Sequence, residues 1–352
     1  MSRIRTKARK DASGWRINGE KIFISGGDQD LSQDILHLVL ARTGTPEDGV
    51  KGLSLFLTSR SEAGPSLKVT RIEEKLGLHA SPTCQMAFDG TPAELVGEEG
   101  GGLKAMFTLM NHARLDVALQ GVAHASRAHA IAAAYANERR QGRTPEGTEA
   151  ILTDHQDVRR MLDEQRALAL GARAMVHFTL VELVRGTNPA LIDFLTPVCK
   201  VFCTEAGIRS ADLGIQVLGG YGYLTEYRVS QTWRDARIAS IYEGANGIHA
   251  LATATRGLRH AQGAGPDAFD SFIGRLSGHE KVMDLRERWR TARSTVEASS
   301  DPAALAHDFM QLTCALYYCA AWDKIASVGA QPRLNALREK VLAAHLAVSD
   351  PC

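Results

Sequence analysis

The sequence predicts an α+β fold: a small antiparallel β-barrel or sandwich over residues 1–98, an all-α helical bundle over 99–262, and a helical extension over 263–352. Three observations predict it. Short β-rich runs, separated by glycine, proline and charged residues, fill the first hundred positions. From Gly102 onward apolar residues recur every three or four positions, the period of a helix. Beyond residue 260 a stretch with Gly, Pro and Ser leads into further helical spacing.

The elements follow in order. Arg3, Arg5, Lys7, Arg9 and Lys10 nearly alternate, as on the solvent face of a strand, and no apolar stretch follows to make a secretory signal. Asn18-Gly19 predicts a hairpin turn between strands at 15–17 and 21–25. Further strands are expected at 35–41, 53–57, 67–71 and 84–88. Met106, Met110, Ala113, Val117, Gly121, His124, Ala128, Ile131 and Tyr135 mark the first long helix, whose many small residues let a neighbour come close. Val158 to Leu183 mark a second helix and Val201 to Leu218 a third; a fourth should begin near Glu243 and run toward His260. One amphipathic helix is expected within 261–302, another from Leu305 to Cys319, and a last one from Leu334 to Leu346.

Bulk properties exclude several classes. With 44% apolar and 23% charged residues the chain resembles an ordinary soluble globular protein. A net charge of +1 gives no nucleic-acid or membrane-surface signature. No window approaches the ~18 apolar residues of a membrane span. Cys84, Cys199, Cys203, Cys314, Cys319 and Cys352 form no Cys-x-x-Cys pair, and the histidines show no metal-ligand spacing. The cysteines read as small buried residues in a reducing, cytoplasmic setting.

Chemistry concentrates in Arg234-Asp-Ala-Arg-Ile-Ala-Ser-Ile-Tyr-Glu-Gly244. Glu243 is a lone carboxylate beside Ile238, Ile241 and Tyr242, and Gly244 lets a ligand approach the backbone. Desolvation would raise its pKa and make it a general base. A carboxylate at a helix N-terminus, favoured by the helix dipole, is the alternative reading.

The segment resembles the catalytic-base motif of acyl-CoA dehydrogenases. Three further segments, in the family's order, share the likeness: Asn18-Gly-Glu-Lys-Ile-Phe-Ile-Ser-Gly26, Glu138-Arg-Arg-Gln-Gly142 followed by His155-Gln156, and Gln216-Val-Leu-Gly-Gly-Tyr-Gly-Tyr223. Met110-Asn-His-Ala-Arg114, Gln120-Gly121 and Tyr135-Ala-Asn-Glu-Arg139 look like the branch containing 3-methylmercaptopropionyl-CoA dehydrogenases, which carry an additional C-terminal helical region.

The resemblance implies FAD-dependent α,β-dehydrogenation of an acyl-CoA thioester. Glu243 would remove the α-proton while the β-hydride goes to flavin N5. Some relatives hold the base just before the arginine matching Arg114; here that position is Ala113, which cannot act. Ser25 resembles a threonine bonded to the flavin, and Phe23 an aromatic packed by the isoalloxazine, although an aromatic on a strand is usually core. Arg139 and Gln156 resemble residues at the FAD of a neighbouring subunit; a solvated arginine closing a helix is the plainer reading of Arg139. Gln216, Gly219 and Gly220 resemble an adenosine-contacting loop, whereas a Gly-Gly pair by itself more often just ends a helix. Asn111, Arg114, Tyr242 and Gly244 are placed by the likeness near the substrate. Gln141-Gly142-Arg143 stands where the family has Thr-Phe-Gly, and Ala245 where it commonly has threonine.

The implied partners are an electron-transferring flavoprotein and a second copy of the chain, as homodimer or homotetramer. Two other readings of the same fold are an acyl-CoA oxidase and a catalytically silent subunit or scaffold. The family's leading helical domain and its Thr-Glu-Pro…Gly-Ser-Asp flavin loop have no counterpart here, so the sequence reads as starting inside the middle domain. The polypeptide in isolation is therefore expected to retain flavin weakly and turn over slowly. Its visible spectrum after purification checks this; a stoichiometric flavin peak with full turnover would contradict it.

Overall fold

A computed structural model describes residues 3–329 and 331–345, with the side chains of 108, 109 and 111 outside that description. The chain divides into two compact units, residues 1–112 and 113–352. Residues 263–352, expected as an extension, belong to the second unit.

The first unit is built on a six-stranded sheet: β1 (Lys7–Asp11), β2 (Gly14–Ser25), β3 (Leu36–Arg42), β4 (Leu53–Ser59), β5 (Leu67–Ile72) and β6 (Thr83–Val96), in the order β2-β1-β3-β4-β6-β5. A further β2–β6 pairing curls the sheet back on itself. A single helical turn, α1 (Arg60–Ala63), follows β4. Alternation in β6 sends Cys84, Met86 and Phe88 inward, where they meet Ile17, Ala41 and Phe56. The expected strands are thus present, but the hairpin turn lies elsewhere. The chain reverses at Ala12 and Ser13, where Asp11 Oδ1 accepts from Ser13 N at 2.7 Å and Gly14, the first residue of β2, takes φ +123°. Asn18-Gly19 is a bulge inside the continuous β2, with a register shift against β6 between Ile17 and Gly19. Asn18 Oδ1 accepts from Gly90 N at 2.8 Å. A Cβ on Gly19, at φ +126°, would sit 2.9 Å from Thr6 Cα.

The second unit is helical. Its long members are α2 (Gly102–Glu138, which begins in the first unit), α3 (Gln156–Arg185) and α4 (Pro189–Leu218), with a small hairpin of β7 (Arg140–Arg143) and β8 (Glu149–Ile151) after α2. Small residues set the approach of α2 to α4, since Ala118, Ala125, Ala128, Ala132 and Ala136 are all buried. A Cβ on Gly121 would lie 2.1 Å from the Cys203 carbonyl oxygen, and one on Gly207 would lie 2.8 Å from the Gly121 oxygen. The helices touch backbone to backbone, as the run of small residues predicted.

After α5 (Val229–Arg237) and a 3₁₀ turn at Ile238–Ser240, the expected fourth helix starts as α6 (Asn246–Ala252) and stays helical to residue 259 through a π-turn over Thr253–Gly257. The later stretch holds two helices where one was expected, α7 (Ala264–Leu276) and α8 (Glu280–Ala298), followed by α9 (Ala306–Gly329) and α10 (Pro332–His345). α9 is buried all round, and its aromatics bond back to α3. Tyr317 donates to the Met175 carbonyl at 2.8 Å, and Trp322 Nε1 donates to the Ala167 carbonyl at 3.2 Å. Trp289 of α8 donates to Thr313 Oγ1 at 2.9 Å. Cys199 and Cys203 share a buried face of α4 as expected. Among the described residues one helix, α3, is long and apolar enough by length and composition to cross a membrane, contrary to the reading of the sequence; its apolar side packs in the core with α4 and α9.

Gly121→Ala is expected to lower stability by about 1–3 kcal/mol, because the methyl group meets backbone that cannot rotate away. A urea unfolding midpoint equal to the parent's would show that α2 and α4 are not in direct backbone contact.

Candidate active site

Glu243 lies in the loop between the 3₁₀ turn at Ile238–Ser240 and α6. It takes φ +52° and Gly244 follows at φ +96°. Two successive left-handed residues reverse the chain sharply, and for a glutamate that conformation is strained. Gly244 has no substitute, since a Cβ there would meet His249 Nε2 at 2.7 Å.

Surrounding side chains hold the strained turn. Lys200 of α4 is fully buried and donates from Nζ to the Gly244 carbonyl at 2.7 Å and to Asn246 Oδ1 at 2.9 Å. Asn246 Nδ2 in turn donates to Thr204 Oγ1 and Glu205 Oε1, each at 3.2 Å. Gln311 of α9 closes the chain of bonds, its Nε2 lying 3.4 Å from Glu205 Oε2. His249 Nε2 meets the Glu243 carbonyl at 3.2 Å. The Tyr242 hydroxyl donates to Gln120 Oε1 on α2.

Charge is less one-sided than the apolar run around Glu243 implied. Burial lowers the Arg114 guanidinium below its ordinary value, and the nearby Glu243 carboxylate opposes that shift. Burial, aided by Arg114, brings Lys200 down to about 8, with Glu205 and Glu243 pulling the other way. Burial, then Arg114 and Lys200, push His249 down to about 4, so it stays neutral at pH 7. Burial raises the Tyr242 phenol. Glu243 itself is half-buried, and Ile241 beside it is half exposed rather than enclosing it.

Of the residues assigned to this site by the sequence, Glu243, Tyr242, Gly244 and Arg114 come together, while the Asn111 side chain lies outside the described residues. Lys200, Asn246, His249 and Gln120 were missed. Lys200 had a visible signal, a lone cation in the apolar run from Leu191 to Cys203.

The residues assigned to a dinucleotide occupy two places. In the first unit, Phe23 and Ser25 stand exposed near the end of β2. The register shift between Lys21 and Ile24, with Phe23 at φ +59°, turns the ring outward, so it is not a core aromatic. In the second unit, Arg139 lies over the Tyr221 ring at 5.4 Å, beside Tyr135 and Tyr227. Tyr221 belongs to the 3₁₀ turn Gly219–Tyr223, which opens directly after Gln216 and the end of α4. Gly219 has φ +60° and Gly220 has open space where a Cβ would be. Gln156 heads α3, and His155 Nε2 lies 2.9 Å from the Gln141 carbonyl. An exposed guanidinium on a tyrosine face, beside glycines with open space, fits an aromatic, phosphate-bearing group such as FAD.

Residues 1–91 match the family model for the acyl-CoA dehydrogenase middle domain, and residues 100–258 match the model for its C-terminal domain. The chain is 39% identical over 327 residues to a 3-methylmercaptopropionyl-CoA dehydrogenase of Ruegeria pomeroyi, covering 86% of this chain and 56% of the relative. It spans about half the length of that curated relative. Two solved structures share the fold: Caenorhabditis elegans ACDH-11 in complex with C11-CoA (TM-score 0.81, 22% identity, 98% of this chain and 61% of that one) and a Bacillus anthracis acyl-CoA dehydrogenase complexed with FAD (TM-score 0.78, 20% identity, 98% and 66%).

His249 provides a pH signature. Its folded-state value of about 4 lies below the ordinary 6.5, so its contribution to stability is complete above pH 6.5 and is lost as pH falls through 4. The parent should lose up to about 3 kcal/mol through this group between pH 7 and 4. His249→Gln, which cannot titrate, should show a flatter profile of urea midpoints; parallel profiles would contradict the buried neutral histidine.

Proposed function

The chain belongs to the acyl-CoA dehydrogenase family, and on that premise we propose that it carries out α,β-dehydrogenation of an acyl-CoA thioester, with Glu243 as the base that removes the α-proton. The observation that carries this reading is the strained turn at Glu243 and Gly244, braced by a buried lysine and a neutral histidine. Strain of this kind, about 1–3 kcal/mol, persists where the surroundings over-determine it, and such positions cluster at active sites. FAD, when bound, supplies the hydride acceptor. The likeness to a 3-methylmercaptopropionyl-CoA dehydrogenase supports an acyl-CoA thioester as the substrate class.

The chain's own groups have separable roles. Glu243 takes the proton on its carboxylate. Its backbone N–H is the donor that the family resemblance directs at the thioester oxygen, where negative charge develops as the proton leaves. Lys200 and His249 fix the carbonyls of Gly244 and Glu243, which holds the two peptide planes that follow Glu243 and restrains the turn from its C-terminal side. Tyr242, tied to Gln120, anchors the turn to α2. Arg114 adds positive charge beside the carboxylate and loses that counter-charge when Glu243 is protonated. Phe23, Ser25, Arg139, Gln156, Gln216, Gly219 and Gly220 would hold FAD, the last five from a second copy of the chain. An electron-transferring flavoprotein would take the electrons onward.

Glu243→Gln keeps the size and loses the base. Under anaerobic conditions, bleaching of bound flavin by an acyl-CoA thioester should slow by about 10²–10⁴-fold, with the flavin spectrum before mixing unchanged. Equal bleaching rates would remove Glu243 from the chemistry. Rapid peroxide release when oxygen is admitted to the reduced parent would replace the dehydrogenase reading with the oxidase one.

A further inference from the structure

A second cluster of cations lies in the helical unit, among residues the proposed chemistry does not use. His129, Ala133 and Asn137 form one stripe of α2 at four-residue spacing, on the wall of a cleft of about 560 Å³. Thr153, Asp154, Arg159, Leu162, Asp163 and Arg166 line it from the start of α3, and Arg333 from the start of α10. This volume lies within the range of small-molecule sites.

The charges in the cleft do not cancel. Asp163 is already committed to Lys340 Nζ at 2.6 Å, and Asp154 Oδ2 accepts from Ile151 N at 3.0 Å. Arg159 is held in place by its own backbone neighbours, with Nε and Nη2 donating to the carbonyls of Thr153 and Asp154 at 2.6 and 2.7 Å. Arg166 and Arg333 make no ion pair among the described residues. Both raise the local positive potential felt by His129, opposed by Asp163 and by a hydrogen bond between the His129 ring and the Gln165 side chain.

We propose that this cleft between α2, α3 and α10 is an anion site for a phosphate dianion, free or as a phosphomonoester, held by the forks of Arg166 and Arg333 with Arg159 and Asn137 supplying further donors. Guanidinium forks match tetrahedral phosphate oxygens in geometry as well as charge. The absence of aromatic residues from the lining favours recognition of the phosphate itself rather than of a base. The site is independent of Glu243 and stands whether or not the dehydrogenase reading holds.

The test is calorimetric titration of the full chain at constant ionic strength with inorganic phosphate, with adenosine 5′-monophosphate, and with chloride as the control. Saturable binding of phosphate that weakens at least tenfold in the Arg166→Gln, Arg333→Gln double variant supports the site. Binding of the nucleotide alone, lost in the same variant, supports it with a phosphomonoester as the ligand. Both arginines are at the surface and the exchange keeps their polarity, so an unchanged thermal midpoint certifies folding of the variant; Arg333→Gln alone serves if it shifts. Binding no stronger than chloride, or equal in parent and folded variant, overturns the proposal.

Discussion

A single ammonium group lies beneath the turn that carries the acidic side chain. Lys200 Nζ is sealed from water and bonded to the Gly244 carbonyl and to Asn246. A buried lysine is tolerable only when its donors are met and opposite charge is near. Here Glu205 and Glu243 provide the charge, and the carbonyl of a strained residue provides the acceptor. The arrangement is mutual. The left-handed backbone at Glu243 and Gly244 presents the carbonyl that the lysine needs, and the lysine restrains the backbone in that shape.

That clamp rests on the spacing of α2 and α4. Lys200, Thr204 and Glu205 stand on α4 around the point where Gly121 and Gly207 let the helix backbones meet. Gln120, the partner of Tyr242, is the residue next to Gly121. Small side chains at the crossing therefore do two things: they exclude voids between long helices, and they set the separation between the group bracing the turn from below and the one anchoring its tyrosine.

Much of this was legible in the sequence, for identifiable reasons. Period-two and period-3.6 patterns gave the six-stranded sheet and the long helices, because each element buries one face. Tyr242, Glu243 and Gly244 stand out because a lone carboxylate sits among apolar neighbours before a glycine and because the segment resembles the family's catalytic-base motif. The errors have physical causes as well. Asn18-Gly19 satisfies hairpin chemistry, yet Gly19 serves a close approach to Thr6 inside a strand, and a local turn signal cannot distinguish the two. Phe23 reads as core until a bulge two residues earlier rotates it outward. The helix expected to begin near Glu243 starts at Asn246 instead, because Glu243 and Gly244 are spent on the left-handed turn, and it carries a π-turn before its end at residue 259. His249 was not assigned because its partner is the Glu243 backbone carbonyl, which leaves no trace in residue type, and Lys200, though conspicuous in its apolar run, meets partners 44 and 46 positions away.

The contact from Gln311 to Glu205 has a reach beyond its own modest geometry. Through Glu205 and Asn246 it joins α9 to the floor of the turn, across more than a hundred positions of sequence. A change packed against the last helices of this chain would therefore reach the turn at Glu243 through side chains alone, leaving the backbone of that turn untouched.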